Sequence, residues 1–351
     1  MSFTTALRIN MTGLSADPDT ESRRYRAALE MAAFADRRGF SVVSVEEHHC
    51  AESGWLPAPL LLAGMIVART ERIAVNVTAL LVPLYDPIRL AEEIAVLDLV
   101  SGGRFSFVAG MGYRPVEFAA LDKDWAGRGD RMDHVLETLL RAWRGEPFEY
   151  NGATIRVTPT PRTKPHPPFA IGGMTKAAAR RAARWGLPFY PALGLPELEP
   201  AYHEALARHG KRGLVVQPDE ANAMIFVDRD PERAWVELAP CLLREAREYA
   251  SWRRAGIPRP GEQPVETVDG LRAQGRYVIL TPEQCLERIR RGRPGLTICL
   301  HPLAGGIPLE RAWSGLELYA DAVLDRARDP EGGPHDGRED GPTPRRGERF
   351  R

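Results

Sequence analysis

The chain has 351 residues, 44% of them hydrophobic, and its 47 Lys+Arg cancel 47 Asp+Glu. That length allows one large α/β barrel or two smaller domains, and the charge balance argues against a nucleic-acid footprint or an anionic membrane surface. The longest apolar run, residues 58–68, is too short to span a bilayer; the N-terminus lacks a signal-peptide pattern; and four scattered cysteines without a Cys-x-x-Cys pair fit reduced thiols in a cytoplasmic protein.

In chain order, residues 6–12 read as a short first strand. Residues 21–38 read as a helix with Tyr25, Ala28, Leu29, Ala32 and Ala35 at helical spacing, stopped by Gly39. Residues 40–50, FSVVSVEEHHC, open on Val42, Val43 and Val45, apolar on both faces, as in a parallel sheet covered on both sides. The run ends in Glu46, Glu47, His48 and His49, which therefore sit at the carboxyl end of a buried strand, the end where a (β/α)8 barrel does its chemistry. Alternation sends Glu47 and His49 to one side and Glu46 and His48 to the other.

A helix at 59–69, a strand at 72–83, an Asp-Pro helix entry opening 86–100 and a strand at 104–110 follow. A helix at 130–144 precedes an inserted hairpin at 148–158, turning at Asn151-Gly152, and a proline-rich loop at 159–168. Further strands fall at 169–172, 187–192, 222–227 and 296–300, and helices at 176–185, 199–209, 231–252 and 309–328, with a short additional helix at 282–291. Residues 258–276 read as a polar, irregular excursion. Eight strands and eight principal helices are enough to close a barrel. A doubly wound open sheet has the same local pattern, since strand order is not written in one sequence. The expected fold is α/β, a (β/α)8 TIM barrel with an inserted segment before strand 5. It occupies residues 1–328 as a single domain, followed by a tail at 329–351 too poor in apolar surface to order itself.

Two adjacent histidines behind two glutamates point to proton transfer, because histidine titrates near neutral pH; a polar strand end meeting solvent has the same composition. Adjacent strand residues point apart and no spaced set of further ligands accompanies them, so no metal site is expected. Gly172-Gly173-Met174-Thr175 lies between a strand and a helix, where a phosphate can approach the backbone and the first helix N–H groups. A tight turn with Thr175 as N-cap is equally consistent. Gly110-Met111-Gly112-Tyr113-Arg114-Pro115 opens like a dinucleotide fingerprint, but Pro115 stands at the third glycine and no acidic partner follows, which excludes a Rossmann site. Its glycines permit close packing of a flat ring, or a loop with positive φ. The small Thr78-Ala79 pair leaves room for a planar ligand or is ordinary core. Asn10, Tyr113, Tyr190 and His301 are candidates for lining a substrate pocket.

The stretches Val45-Glu46-Glu47-His48-His49, 81–98 (LVPLYDPIRLAEEIAVLD), 101–105 (SGGRF), 110–117 (GMGYRPVE) and 171–178 (IGGMTKAA) together resemble the bacterial luciferase-like flavin monooxygenase family. Their order and spacing carry the likeness over most of the chain. The resemblance implies a barrel with an insertion before its fifth strand, often a homodimer. It implies reduced FMN delivered by a separate flavin reductase in transient contact, reacting with O2 through a flavin 4a-hydroperoxide to oxygenate a small organic substrate. The histidine beside the flavin falls on His48 or His49, acting as general acid or base with Glu47 tuning or orienting it. The family's non-prolyl cis peptide falls on Thr78-Ala79 and its phosphate loop on Gly172, Gly173, Met174 and Thr175. Where luciferase has cysteine and arginine after the fourth strand, this chain has Gly110 and Met111, so one phosphate partner is missing. Related enzymes use the 8-hydroxy-5-deazaflavin coenzyme for hydride transfer and tend to carry Asp-His at the second strand end. Glu-His-His favours FMN, and a deazaflavin-dependent dehydrogenase or reductase is the alternative. A metal-dependent hydrolase and a non-catalytic partner subunit complete the field.

Overall fold

Val43, Val45, Val75 and Val77 are wholly buried, each between two partly accessible neighbours. That two-residue period divides the strands into a face packed on helices and a face carrying Arg8, Ser44, Glu46, Asn76 and Ser106. The computed structural model describes residues 3–192, 195–216, 223–252, 265–293 and 295–328.

The elements in order are β1 (Thr4–Ile9), α1 (Pro18–Arg37), β2 (Val42–Val45), α2 (Pro59–Ala68), β3 (Ala74–Leu81), α3 (Pro87–Ser101), β4 (Phe105–Gly110), α4 (Pro115–Ala120) and α5 (Arg128–Ala142). Then come β5 (Phe148–Tyr150), β6 (Ala153–Ile155), β7 (Phe169–Gly173), α6 (Lys176–Trp185), β8 (Phe189–Pro191), α7 (Leu198–Arg208), β9 (Met224–Val227) and α8 (Pro231–Ser251). The last are α9 (Val268–Ala273), β10 (Tyr277–Leu280), α10 (Pro282–Arg291), β11 (Thr297–Leu300), α11 (Leu309–Tyr319), a π-helical turn (Ala320–Leu324) and α12 (Asp325–Arg328).

Nine strands form one sheet in the order β10-β9-β11-β1-β2-β3-β4-β7-β8, with every ladder parallel. The sheet curls. Tyr190 on β8 is five strands from β1, yet Cys299 on β11, Arg8 on β1 and Glu46 beyond β2 all act on its hydroxyl, after the burial that chiefly raises its pKa. Parallel strands joined through helices make this an α/β fold of the TIM-barrel type. The antiparallel β5–β6 hairpin, pairing Tyr150 with Ala153, is the segment inserted before the fifth barrel strand, β7.

Local chemistry sets the helix ends. Asp17 and Asp86 cap α1 and α3 by accepting N–H groups of the first turn, each with proline at the first helical position. Gly102 and Gly186 close α3 and α6 in the left-handed region.

The structure corrects the sequence reading in four places. Pro115 opens a short helix, α4, instead of continuing a loop. Part of the stretch read as irregular is α9, capped by Thr267. Tyr277–Leu280 adds a ninth strand beside β9. The last helix is interrupted by a π turn. Residues 258–264 and the tail at 329–351 lie outside the described residues. Among the described residues no helix is long and apolar enough to cross a membrane.

Candidate active site

At the carboxyl ends of β3, β4 and β7 the floor of the barrel mouth is made of small residues, Thr78, Ala79, Gly110, Gly172 and Gly173. A cis peptide joins Thr78 and Ala79, as the resemblance implied, and the β3–β4 register shifts across it. A Cβ on Gly110 would lie 2.8 Å from that of Ala79, and one on Gly172 would lie 2.8 Å from Val108 Cγ1. Both glycines are therefore required by close approach. Gly173 and Met174, half-buried, lead to Thr175, whose side chain caps α6 by accepting the Ala178 N–H at 3.2 Å. The capping role accounts for this threonine and leaves its own hydroxyl proton available to donate. By helix geometry the N–H groups of Lys176 and Ala177 have no intrahelical acceptor. Met111 packs, half-buried, on the core.

His48 stands beside this floor. Its Nδ1 lies 2.8 Å from Glu117 Oε1 and its Nε2 3.4 Å from the Tyr113 hydroxyl. Glu117, fully buried on α4, also accepts the His49 N–H at 3.1 Å and an Arg114 N–H at 3.0 Å. Desolvation pushes the Glu117 carboxyl up, but the His48 hydrogen bond and charge, the His49 N–H and Arg114 outweigh it and hold it below its ordinary value. A carboxylate only accepts, so Nδ1 carries a proton and Nε2 is left to face the Tyr113 hydroxyl. Arg114 also donates to the carbonyls of His49 at 2.6 Å and Cys50 at 3.4 Å. Its guanidinium carbon lies 4.0 Å from the Trp252 ring centroid.

Glu47 serves the other histidine. Its Oε1 lies 3.0 Å from His49 Nε2 and accepts the Tyr85 hydroxyl at 2.7 Å, while Oε2 accepts the Leu81 N–H at 2.5 Å. Burial, and then the Glu47 carboxylate, raise the Tyr85 pKa, which keeps it a donor. Glu47 thus braces the β2 end against the segment after β3. The residue that orients His48 is Glu117, which the sequence reading passed over. Its signals were its place at the end of the 110–117 stretch and its spacing three residues after Arg114 behind a helix-starting proline.

Asn10 and His301, expected to line a substrate pocket, are fully buried in a separate network with Glu245 of α8. Glu245 Oε2 accepts from Asn10 Nδ2 at 3.0 Å and faces His301 Nε2 at 3.3 Å, and Oε1 accepts the Tyr277 hydroxyl at 2.9 Å. The Thr12 hydroxyl also reaches this carboxylate. Burial works against the charged form, but His301, then Arg8 and Thr12, hold Glu245 well below its ordinary value. The structure therefore brings together His48, Tyr113, Thr78, Ala79, Gly110, Gly172 and Tyr190 around the mouth and lumen, and places Asn10 and His301 in a buried polar cluster with Glu245, His301 also lining a cavity with Ile225, Leu300, Pro302 and Ile307. Among the described residues no three His, Cys, Asp or Glu side chains converge as a metal site.

Comparison with known proteins agrees with this architecture. The oxygenase component of a flavin-dependent trigonelline monooxygenase from Acinetobacter baylyi is 26% identical over 47% of this chain and 48% of its own. An F420-dependent glucose-6-phosphate dehydrogenase from Nakamurella multipartita is 25% identical over 85% and 91%. The oxygenating constituent of 3,6-diketocamphane monooxygenase from Pseudomonas putida, solved with FMN, superimposes with a TM-score of 0.68 at 19% identity, covering 93% and 99% of the two chains, a likeness of fold. The chain spans about half the length of the first curated relatives it matches. The profile described as luciferase-like monooxygenase matches residues 8–296, and the chain belongs to that family.

Proposed function

We propose that the chain is the oxygenase component of a two-component flavin-dependent monooxygenase, a single barrel domain over residues 1–328. It takes reduced FMN from a separate flavin reductase and uses O2 to oxygenate a small organic substrate. The observation that carries the reading is the His48–Glu117 pair, at strand ends that also bring together the small residues Ala79, Gly110 and Gly172.

The residues present fit FMN. A flat ring system would lie over the small residues Ala79, Gly110 and Gly172, which the close approach of Ala79 to Gly110 and of Val108 to Gly172 keeps small. Its phosphate would take the free N–H groups at the start of α6 and the Thr175 hydroxyl, with the exposed Lys176 supplying the charge that Met111 does not. Bound there, the reduced flavin supplies the electrons that activate oxygen. The chain does the rest. Glu117 fixes a proton on Nδ1, so His48 can give or take one at Nε2. Trp55, Tyr113 and Trp252 pack around that imidazole and keep water from it. Four free cysteines fit a cytoplasmic setting. The apolar residues exposed on the neighbouring helices α2 and α3, among them Leu61, Met65, Val96 and Val100, fit a homodimer.

The test is rapid mixing of protein loaded with reduced FMN against oxygenated buffer. Oxidised FMN should appear much later than without protein. Reoxidation as fast as in free solution would overturn the reading. It would turn attention to the deazaflavin coenzyme, the alternative that the F420-dependent relative keeps in view.

A further inference from the structure

Four aromatic rings gather at one wall of the mouth. Trp55, from the loop after β2, meets His48 edge-on at 5.1 Å between centroids, and Tyr113 does so at 5.5 Å. Trp252, at the end of α8, approaches the same imidazole at 4.7 Å. Tyr249 stacks on Trp55 at 5.8 Å. Such a wall favours a planar, apolar partner.

The same wall holds polar atoms that the fold leaves unsatisfied. Trp55 is 2% exposed, and its Nε1 is buried without a hydrogen-bond partner. Glu248, one residue before Tyr249, accepts the Ser53 N–H with Oε1 at 3.1 Å. Its Oε2 and the Ser53 hydroxyl are likewise buried and unpaired. Native proteins seldom leave such groups unpaired, and here an indole donor and a carboxylate acceptor occur together beside an aromatic surface.

We propose that this wall is the substrate subsite, and that it takes a planar aromatic ring carrying a hydroxyl group. The proposal rests on the reading of the adjacent floor as the flavin site. A phenolic hydroxyl answers both orphaned atoms at once, accepting from Trp55 Nε1 and donating to Glu248 Oε2. A purely apolar ring would leave both unpaired. A ring bearing a carboxylate would meet Glu248 with like charge, and a cationic ring would meet Arg114, already stacked on Trp252. Bound by its hydroxyl, the ring would lie with its edge toward His48.

The experiment is calorimetric titration of the full-length protein with 4-ethylphenol and with 4-ethylanisole, whose ether oxygen accepts but cannot donate. The phenol should bind about tenfold more tightly, the loss expected when a charged acceptor is left unpaired. Glu248→Gln should weaken the phenol by roughly threefold to tenfold and spare the anisole, whereas Trp55→Phe, which keeps a ring and removes the N–H, should weaken both. Equal affinity of the wild type for the two probes would overturn the proposal whatever the variants do, and so would a phenol affinity untouched by both substitutions. Anaerobic titration of the same samples with reduced FMN separates the two readings. Flavin binding without phenol discrimination overturns the subsite alone; phenol discrimination without flavin binding upholds the subsite and overturns the flavin reading.

Discussion

His48 and Glu117, 69 residues apart in the chain, face each other at 2.8 Å across the barrel mouth, and the carboxylate is held there by two further donors. Glu117→Gln replaces a pure acceptor with a group that also donates, so Nδ1 loses its enforced proton. Turnover should fall by about 10²-fold, at the lower end of what acid–base catalysis supplies, and its pH profile should shift, with partial recovery in Glu117→Asp. Stability should respond as well. The folded pKa of Glu117 lies below the unfolded value. Its contribution is therefore full above about pH 4.3 and disappears as pH falls through the folded value. The melting-temperature gap between wild type and Glu117→Gln should narrow on acidification, and a gap independent of pH would contradict the assignment.

The two adjacent histidines should behave differently. Among the described residues His48 Nε2 faces only the Tyr113 hydroxyl, at 3.4 Å, while His49 Nε2 is engaged by the Glu47 carboxylate at 3.0 Å. His48→Ala should lower turnover by roughly 10²–10⁴-fold. His49→Ala should chiefly lower thermal stability, by releasing Glu47 from one of its three partners. Steady-state kinetics beside a melting curve for each variant distinguishes them; equal kinetic losses would mean that the pair acts as a unit.

What the sequence made legible is what has a short period. The alternation of Val43, Val45 and Glu47 against Ser44, Glu46 and His48 put Glu47 and His49 on one side beyond the end of β2, where they pair at 3.0 Å. The helix entries at Asp86-Pro87 and Thr175 were likewise local. Glu117 and Glu245 were not legible, because their meaning lies in partners far along the chain. Glu245 lies on the buried stripe of α8 with Trp235, Leu238, Leu242 and Ala246, so its inward direction follows from the helical period; what the period does not show is its partner Asn10, 235 residues away. β10 was missed for a different reason: four residues between a helix and a Thr-Pro helix start are too few to show alternation.

Glu245 and His301 should be coupled in stability. Both are fully buried at 3.3 Å, and Asn10, Thr12 and Tyr277 complete the carboxylate's shell. His301→Ala strands a buried carboxylate and should cost about 3–5 kcal/mol in urea unfolding. His301→Ala combined with Glu245→Gln should cost less than the sum of the two, since the second change removes the stranded charge. Because the folded pKa of Glu245 is depressed, its stabilisation is present above the unfolded value and lost on acidification. Losses within about 0.5 kcal/mol, as at ordinary surface sites, would show that the cluster is not holding α8 to the barrel.

Lys176 offers a direct check on the phosphate end of the site. It is exposed and begins α6 immediately after Thr175, where the helix already favours an anion through its free N–H groups and dipole. Met111 brings no charge to the opposite side. FMN and riboflavin differ only in the phosphate, so their affinity ratio isolates this end of the ligand. Lys176→Ala should weaken FMN by roughly threefold, the scale of one exposed ion pair, while leaving riboflavin unchanged, and Lys176→Arg should restore FMN. The advantage of wild type over Lys176→Ala should shrink as salt is added. An equal loss for both flavins would place the lysine against the ring system instead, and no loss for either would leave the phosphate to the backbone of α6 and Thr175 alone.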